Sequence, residues 1–230
     1  MRRLDQVLSS LGYCSRREAV LFVKNGRVKQ NGLVLTKADQ KVDPQAVTVD
    51  DEPLEALDGL LAMLHKPVGY VCTHDGNEGP TIYELLPDQW LRRNPAVTSV
   101  GRLDKDTSGL LLVTDIGQLV HRHTSPKAEI EKAYLAEVDR DLEASLVEIF
   151  AKGDLMLRSE EKPCLPAKLE IVSPRTARLT ITEGRYHQVR RMFASQGWHV
   201  EKLHRERFGD YTLGDLAEGE WKMLGMTKPE

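Results

Sequence analysis

With 230 residues the chain has room for one large domain or for two of unequal size. Hydrophobic residues make up 40% and charged residues 29%, the balance of an ordinary soluble globular protein, and no apolar run approaches the roughly 18 residues that a membrane span needs. A formal net charge of −3 excludes a protein that is basic throughout, yet the average hides an asymmetry: residues 1–37 carry eight Lys/Arg against two acids, and residues 38–60 carry seven acids against one lysine. The three cysteines, Cys14, Cys72 and Cys164, are far apart and form no CxxC pair, which argues against a disulfide framework or a zinc site and for a reducing, cytoplasmic setting. The start of the chain lacks the uninterrupted apolar stretch of a secretory signal.

Leu4, Val7, Leu8 and Leu11 recur at helical spacing, and Gly12 stops the pattern. Ser15 and Glu18 have the spacing of a capping box. They open a second helix over Arg16–Lys24, with Ala19, Val20 and Val23 inward and Asn25-Gly26 closing it. Val28 and Lys29 then lead into Asn31-Gly32, the strongest short signal for a β-hairpin. Two helices and a hairpin, with arginines at the start of the second helix, resemble the S4 RNA-binding module. That resemblance implies that Arg16, Arg17, Lys24, Arg27 and Lys29 face RNA phosphates; from charge alone a solvated face is an equal reading. The acidic stretch Asp50–Asp58 reads as a linker with hinge freedom, which divides the chain into an N-terminal module with its linker, 1–58, and a second domain, 59–230.

Gly59 opens an apolar strand, Leu60–Leu64, and the Pro and Gly of His65-Lys66-Pro67-Val68-Gly69-Tyr70-Val71 mark a bend. Trp90–Pro95 reads as a surface loop. In GRLDKDTSGLLLVTD, residues 101–115, a carboxylate at Asp104 sits in a Gly/Thr/Ser-rich loop that runs straight into a buried strand, Leu110–Thr114. The strand fixes such a carboxylate and the loop exposes it, a good place for chemistry. Asp115-Ile116-Gly117 is a turn, Gln118–His123 begins a short helix that ends before Pro126, and Lys132–Val138 alternates as a half-buried strand. Leu142–Phe150 is a helix stopped by Gly153, Ala167–Val172 and Ala177–Ile181 are strands joined by a Ser-Pro-Arg turn, and Arg185–Ser195 is a helix after Gly184. Strands and helices mix without βαβ regularity, so the expected fold class is α+β, a mostly antiparallel mixed sheet with flanking helices.

Three separated segments resemble the motifs of the RsuA-type pseudouridine synthases: GRLD with DTSGLLL, EKAYL at 131–135, and LTITEGRYHQVRRM at 179–192. HKPxGYV at 65–71 and LHRERFG at 203–209 also match, so with the N-terminal module the resemblance spans nearly the whole chain. It implies a cofactor-free isomerisation in which uracil leaves C1′ of a uridine, turns and rejoins through C5. Asp104 is then the catalytic aspartate, stabilising the charge at C1′, attacking C1′ or removing a sugar proton, options that the sequence leaves open. Tyr134 is the active-site tyrosine that stacks on the uracil. Arg190 is the basic residue that pairs with the aspartate and keeps it ionised. Arg102 fills the gap left by the flipped base, and Ile181 walls the base from beneath. Arg185, His187, Lys202, His204, Arg205 and Arg207, interleaved with Tyr186, Phe193 and Trp198, suit an RNA groove. Outside the motifs each has a plainer reading: a turn aspartate, a core tyrosine and isoleucine, a surface arginine, a phosphate contact. Asp106 reads as structural, holding the loop with Thr107 and Ser108.

No Walker-type loop, no GxGxxG and no histidine set with metal-ligand spacing is present, so neither cofactor nor metal is expected. The resemblance points to ribosomal RNA as substrate, in particular small-subunit 16S rRNA through the phrase TSPKAEIEKAYL, either naked or in a partly assembled ribonucleoprotein. A large-subunit or tRNA uridine is the alternative within the class. A non-catalytic RNA-binding assembly factor is a further alternative, opposed by the intact Asp104, Tyr134 and Arg190. A hydrolase would use Asp104 and Asp106 as an acid/base pair. The expected state is a monomer.

Overall fold

The structure, a computed structural model, describes residues 1–125 and 128–225. At the N-terminus, β1 (Arg2–Arg3) leads into α1 (Leu4–Ser10), which lays Leu4, Val7 and Leu8 into a core and ends where Gly12 takes a φ of 80°. The capping box forms: the Ser15 N–H donates to Glu18 Oε2 at 2.8 Å and the Glu18 N–H to Ser15 Oγ at 3.2 Å. Residues 16–18 remain a turn, so α2 spans Ala19–Lys24 only. Its inner face is Ala19, Val23 and the half-buried Phe22, whereas Val20, expected inward, is 57% exposed. At about 100° per residue Val20 lies outside the arc that those three share.

Asn31 and Gly32, at φ 50° and 77°, turn β2 (Val28–Gln30) into β3 (Leu33–Val34). β4 (Lys41–Val42) pairs with β1, while β5 (Val47–Val49) and β6 (Glu52–Pro53) complete a four-stranded sheet of order β3-β2-β5-β6. Asp50 and Asp51 are therefore the turn of a hairpin inside the N-terminal module, not a linker, because Val47 and Val49 alternate into the core beside them. The expected hinge is replaced by a bonded seam. Trp90, expected on a surface loop, belongs to α3 (Asp88–Leu91) and is buried against Trp221, with its Nε1 donating to Glu55 Oε2 at 3.1 Å. Arg93 is buried as well; its Nε donates to Asp115 Oδ2 at 2.7 Å and its Nη2 to Ala56 O at 2.8 Å. The Asn94 N–H donates to Ser10 O at 3.0 Å, and Gly12 lies so close that a Cβ there would stand 2.0 Å from Gln89 O.

Nine strands build the larger sheet: β7 (Leu61–Lys66), β8 (Thr98–Ser99), β9 (Thr107–Thr114), β10 (Lys132–Val138), β11 (Lys168–Ser173), β12 (Thr176–Ile181), β13 (Val200–Phe208), β14 (Tyr211–Thr212) and β15 (Trp221–Met223). Their order is β11-β12-β10-β13-β9-β7-β15, with β8 on β9 and β14 on β13. Among the described residues β9 and β13 are the one parallel pair of this sheet, and the fold is the α+β class expected. α4 (Gly117–Thr124) follows β9; Pro126, expected to end it, lies outside the described residues. α5 (Ser145–Ala151) and α6 (Gln188–Ser195) cover β10 to β13, where Leu146, Phe150, Met192 and Phe193 pack on Ala136, Leu179 and Ile181. β9 is buried on both faces, which is why its leucines run without alternation.

Candidate active site

Asp104 lies three residues ahead of β9, in a turn closed by the Thr107 N–H donating to Asp104 O at 3.0 Å. Parallel pairing places Leu203 beside Thr107, so the loop opens over the first half of β13. A buried lysine braces it from below: Lys66, fully shielded at the end of β7, donates to Thr107 O at 2.7 Å and to Pro67 O at 2.9 Å, and reaches Lys105 O at 3.4 Å. Burial pushes the Lys66 ammonium pKa down. Gly69 adds an N–H bond of 2.7 Å to Lys105 O. The signal for Lys66 was its place before a proline at the close of an apolar strand, but nothing local gave it a role.

Tyr134 on β10 stands opposite Leu179 of β12 and Arg205 of β13, and Ile181 opposite Lys132. Around Asp104 a small cleft of about 80 Å3 is walled by Arg102, Leu103, Thr107, Tyr134, Ile181 and His187. A roomier hollow of about 420 Å3 shares Arg102, Tyr134, Gly184 and Arg185 with it. The described residues also line a hollow of about 680 Å3 on the other side of β10 and β12. Its charges are mutually paired, Arg178 with Glu170 and Glu206 and Arg207 with Glu131, which leaves little there to hold a ligand.

α6 starts at Gln188, three residues later than expected, because His187 takes the left-handed conformation with φ 47°. That turn brings His187 Nε2 to 3.4 Å from Asp104 Oδ1. Arg190 does not pair with Asp104. It binds Asp106, with Nη2 at 2.9 Å from Oδ2 and 3.0 Å from the carbonyl, while Nη1 donates to Val200 O at 2.8 Å. Arg190 lies in the first turn of α6, and from there it meets the far side of the loop. Asp106 holds the loop through Arg190, and among the described residues its side chain makes no hydrogen bond to Thr107 or Ser108. Burial raises the Asp104 pKa from its ordinary value; the His187 charge opposes the rise, Asp106 adds to it, and Arg190 and Lys66 oppose it.

Arg102 is exposed at the mouth and has no hydrogen-bond partner among the described residues. The Arg185 guanidinium is committed to Glu183, Lys162 O and Pro163 O, so it forms wall rather than a free contact. The expected basic groove is divided. Lys202 pairs with Glu137, and His204 sits with its Nδ1 2.9 Å from Ser108 Oγ on the opposite side of β13 from Leu203. Phe193 and Trp198 are core, while Tyr186 is 74% exposed and stacks on His187. Arg205 is buried behind Tyr134. In the N-terminal module Arg16 pairs with Asp5, Arg27 with Asp50 and Lys29 with Asp51, whereas Arg17 and Lys24 are exposed and unpaired among the described residues. Three buried side-chain polar atoms lack partners among the described residues, Thr107 Oγ1, Arg190 Nε and Arg205 Nη2, and all lie around the Asp104 loop and its hollows. Unmet polar groups of this kind gather where a ligand completes them. Among the described residues no group of three or more His, Cys, Asp or Glu could hold a metal ion, and no helix is long and apolar enough to cross a membrane.

A carboxylate in a half-buried cleft with an aromatic wall and unpartnered polar atoms around it has the features of an enzyme site. The family described as RNA pseudouridylate synthase matches residues 61–195 and the S4 domain family matches residues 2–48. The chain belongs to the RNA pseudouridylate synthase family. It is 43% identical over 227 residues to the ribosomal small subunit pseudouridine synthase A of Escherichia coli strain K12, covering 96% of each chain. Identity to the protein of the same name from Yersinia pestis is 42% over 225 residues, covering 96% of this chain and 94% of the relative. A crystal structure of a pseudouridylate synthase superposes with a TM-score of 0.68 at 38% identity, over 98% of this chain and 96% of the other.

Proposed function

We propose that this protein converts one uridine of small-subunit ribosomal RNA into pseudouridine, with Asp104 as the catalytic carboxylate. The observation that carries the reading is the half-buried Asp104 facing His187 in a cleft walled by Tyr134 and Ile181. Breaking the C1′–N1 bond develops positive charge at C1′, which a carboxylate there stabilises, attacks, or relieves by taking a sugar proton. Tyr134 stacks on the released uracil, and its phenol oxygen stands ready for the C5 proton. Ile181 supplies the apolar floor. A base inside a folded RNA cannot reach a cleft this small, so the nucleotide swings out and Arg102, free at the mouth, takes its place. Arg190 acts through the loop by fixing Asp106, and His187 lies closest to the carboxylate.

Residues 1–58 deliver RNA and residues 59–230 do the chemistry. The enzyme works as a cytoplasmic monomer; its three thiols are free and buried, as in a reducing compartment. The test is nucleotide-resolution mapping of pseudouridine in rRNA from cells with and without the gene, with rescue by wild type and by Asp104→Asn. One small-subunit site lost, restored by wild type alone, supports the reading. A lost site in large-subunit rRNA or tRNA moves the substrate. No lost site, or equal rescue by the variant, favours a non-catalytic assembly factor. Assaying naked 16S rRNA beside a partly assembled small subunit identifies the form that is modified.

A further inference from the structure

Two cations beside the cleft, Arg205 buried and Lys132 half-buried, have no part in the chemistry above. Arg205 is 3% exposed; its Nε donates to Leu110 O at 2.8 Å, and its Nη2 has no partner among the described residues. Lys132 donates to Thr182 O at 2.7 Å. Neither meets a carboxylate among the described residues, and both lie over the same ring, Phe208, at 5.0 and 5.9 Å from its centroid. Burial and the Arg205 charge push the Lys132 ammonium pKa down. The carboxylate that reaches this hollow, Glu183, is already bound by Arg185, Gln188 and the Leu165 N–H.

The pair is placed by a strand irregularity. Ala133 pairs with Arg207 and Tyr134 with Arg205, so the strand register shifts by one at Glu206. The bulge turns Arg205 toward Tyr134 and leaves Arg207 to the opposite hollow. A buried guanidinium and a half-buried ammonium, side by side and with no carboxylate in ion-pair contact among the described residues, are costly, and a site that keeps them is arranged for an anion that arrives from outside. The hollow runs into the Asp104 cleft through the shared walls Arg102 and Tyr134.

We propose that Arg205 and Lys132 form an anion subsite that takes an RNA backbone phosphate adjoining the target uridine, an inference that rests on reading the Asp104 cleft as the uridine site. The guanidinium offers a planar fork and the ammonium a compact charge, the pairing suited to a phosphate with two oxygens facing the protein. Fixing that phosphate sets the ribose, and with it C1′, relative to Asp104.

The test titrates the full chain with uridine, 5′-UMP, 3′-UMP and inorganic phosphate, following the Ile181 methyl and Tyr134 ring resonances. One UMP isomer is expected to bind about tenfold more tightly than uridine, and this preference is expected to fall close to one in Arg205→Met. Lys132→Gln reads the same ratio should Arg205→Met fail to fold. Equal binding of uridine and both nucleotides, or a preference that survives both variants, overturns the subsite and leaves the uridine cleft standing. Inorganic phosphate binding as tightly as UMP also overturns it, since the anion site would then be independent of the nucleotide. No response of Ile181 or Tyr134 to uridine or UMP overturns both readings.

Discussion

At the residue scale the deciding group is Asp104. Its pKa is raised in the folded chain, chiefly by burial. The carboxylate must be ionised to act, so the acid limb of kcat/KM is expected at a higher pH than an unperturbed aspartate would give. The same shift has a stability consequence with a definite sign. A raised folded-state pKa favours the fold most below the unfolded value of about 3.9, and that advantage is lost as pH rises through the folded-state value. Asp104→Asn is therefore expected to cut turnover by about 10³-fold or more while raising the melting temperature at pH 7, and the stability gain should vanish below about pH 4. Arg190 and Asp106 behave differently from each other. Asp106→Asn removes an ion pair whose carboxylate side chain is 62% exposed, worth about 0–1 kcal/mol, and keeps the carbonyl contact. Activity should persist, with the acid limb moved to lower pH because a like charge beside Asp104 is gone. Arg190→Ala also strips Val200 O of its donor and is expected to cost about 1.5–3 kcal/mol in urea unfolding. An inactive Asp106→Asn would instead revive an acid/base pair of carboxylates.

At the element scale the close approach of β9 and β13 carries the site. Gly109 has a φ of 117°, and a Cβ there would stand 2.3 Å from Arg205 O. Gly109→Ala is expected to force the two strands apart and to destabilise the protein by about 2 kcal/mol or more, measurable by thermal or urea unfolding. β13 itself was not evident as a strand in the sequence, since its inward row includes the arginine at 205 and the bulge interrupts its alternation. The late start of α6 escaped detection for a similar reason: nothing about Arg185-Tyr186-His187 announces a left-handed residue. In the N-terminal module the hairpin acids neutralise Arg27 and Lys29, and of the five expected phosphate contacts only Arg17 and Lys24 have no ion-pair partner among the described residues. Changing either to Gln should lower the slope of log affinity against log salt for rRNA by about one, while Arg27→Gln leaves it nearly unchanged.

At the scale of the whole molecule the seam between the two parts replaces the hinge suggested by the acidic run. Arg93 ties Asp115, Glu55 and Ala56 together in a site where both charges are buried. Removing the cation leaves Asp115 uncompensated. Arg93→Met is therefore expected to cost about 3–5 kcal/mol and to broaden the solution-scattering profile, which in the wild type should fit a single arrangement with and without RNA. A wild-type profile that changes on RNA binding would return the hinge.

What the sequence determined by itself is what short-range periodicity and turn chemistry encode. Leu4 to Leu11, the Ser15–Glu18 box and the Asn31-Gly32 turn needed only neighbours three or four residues away, and so did the strands around Tyr134 and Ile181. The position of Asp104 ahead of a buried strand was legible for the same reason. Tertiary structure alone decided which carboxylate Arg190 takes, 84 residues away along the chain, and that Lys66 rather than a loop residue braces the Asp104 turn. It also decided that Arg205 is interior and that Trp90 closes a seam. Each of these depends on burial and on polar partners supplied by distant segments, and such partners, unlike helical and strand periods, leave no spacing in the sequence from which to read them.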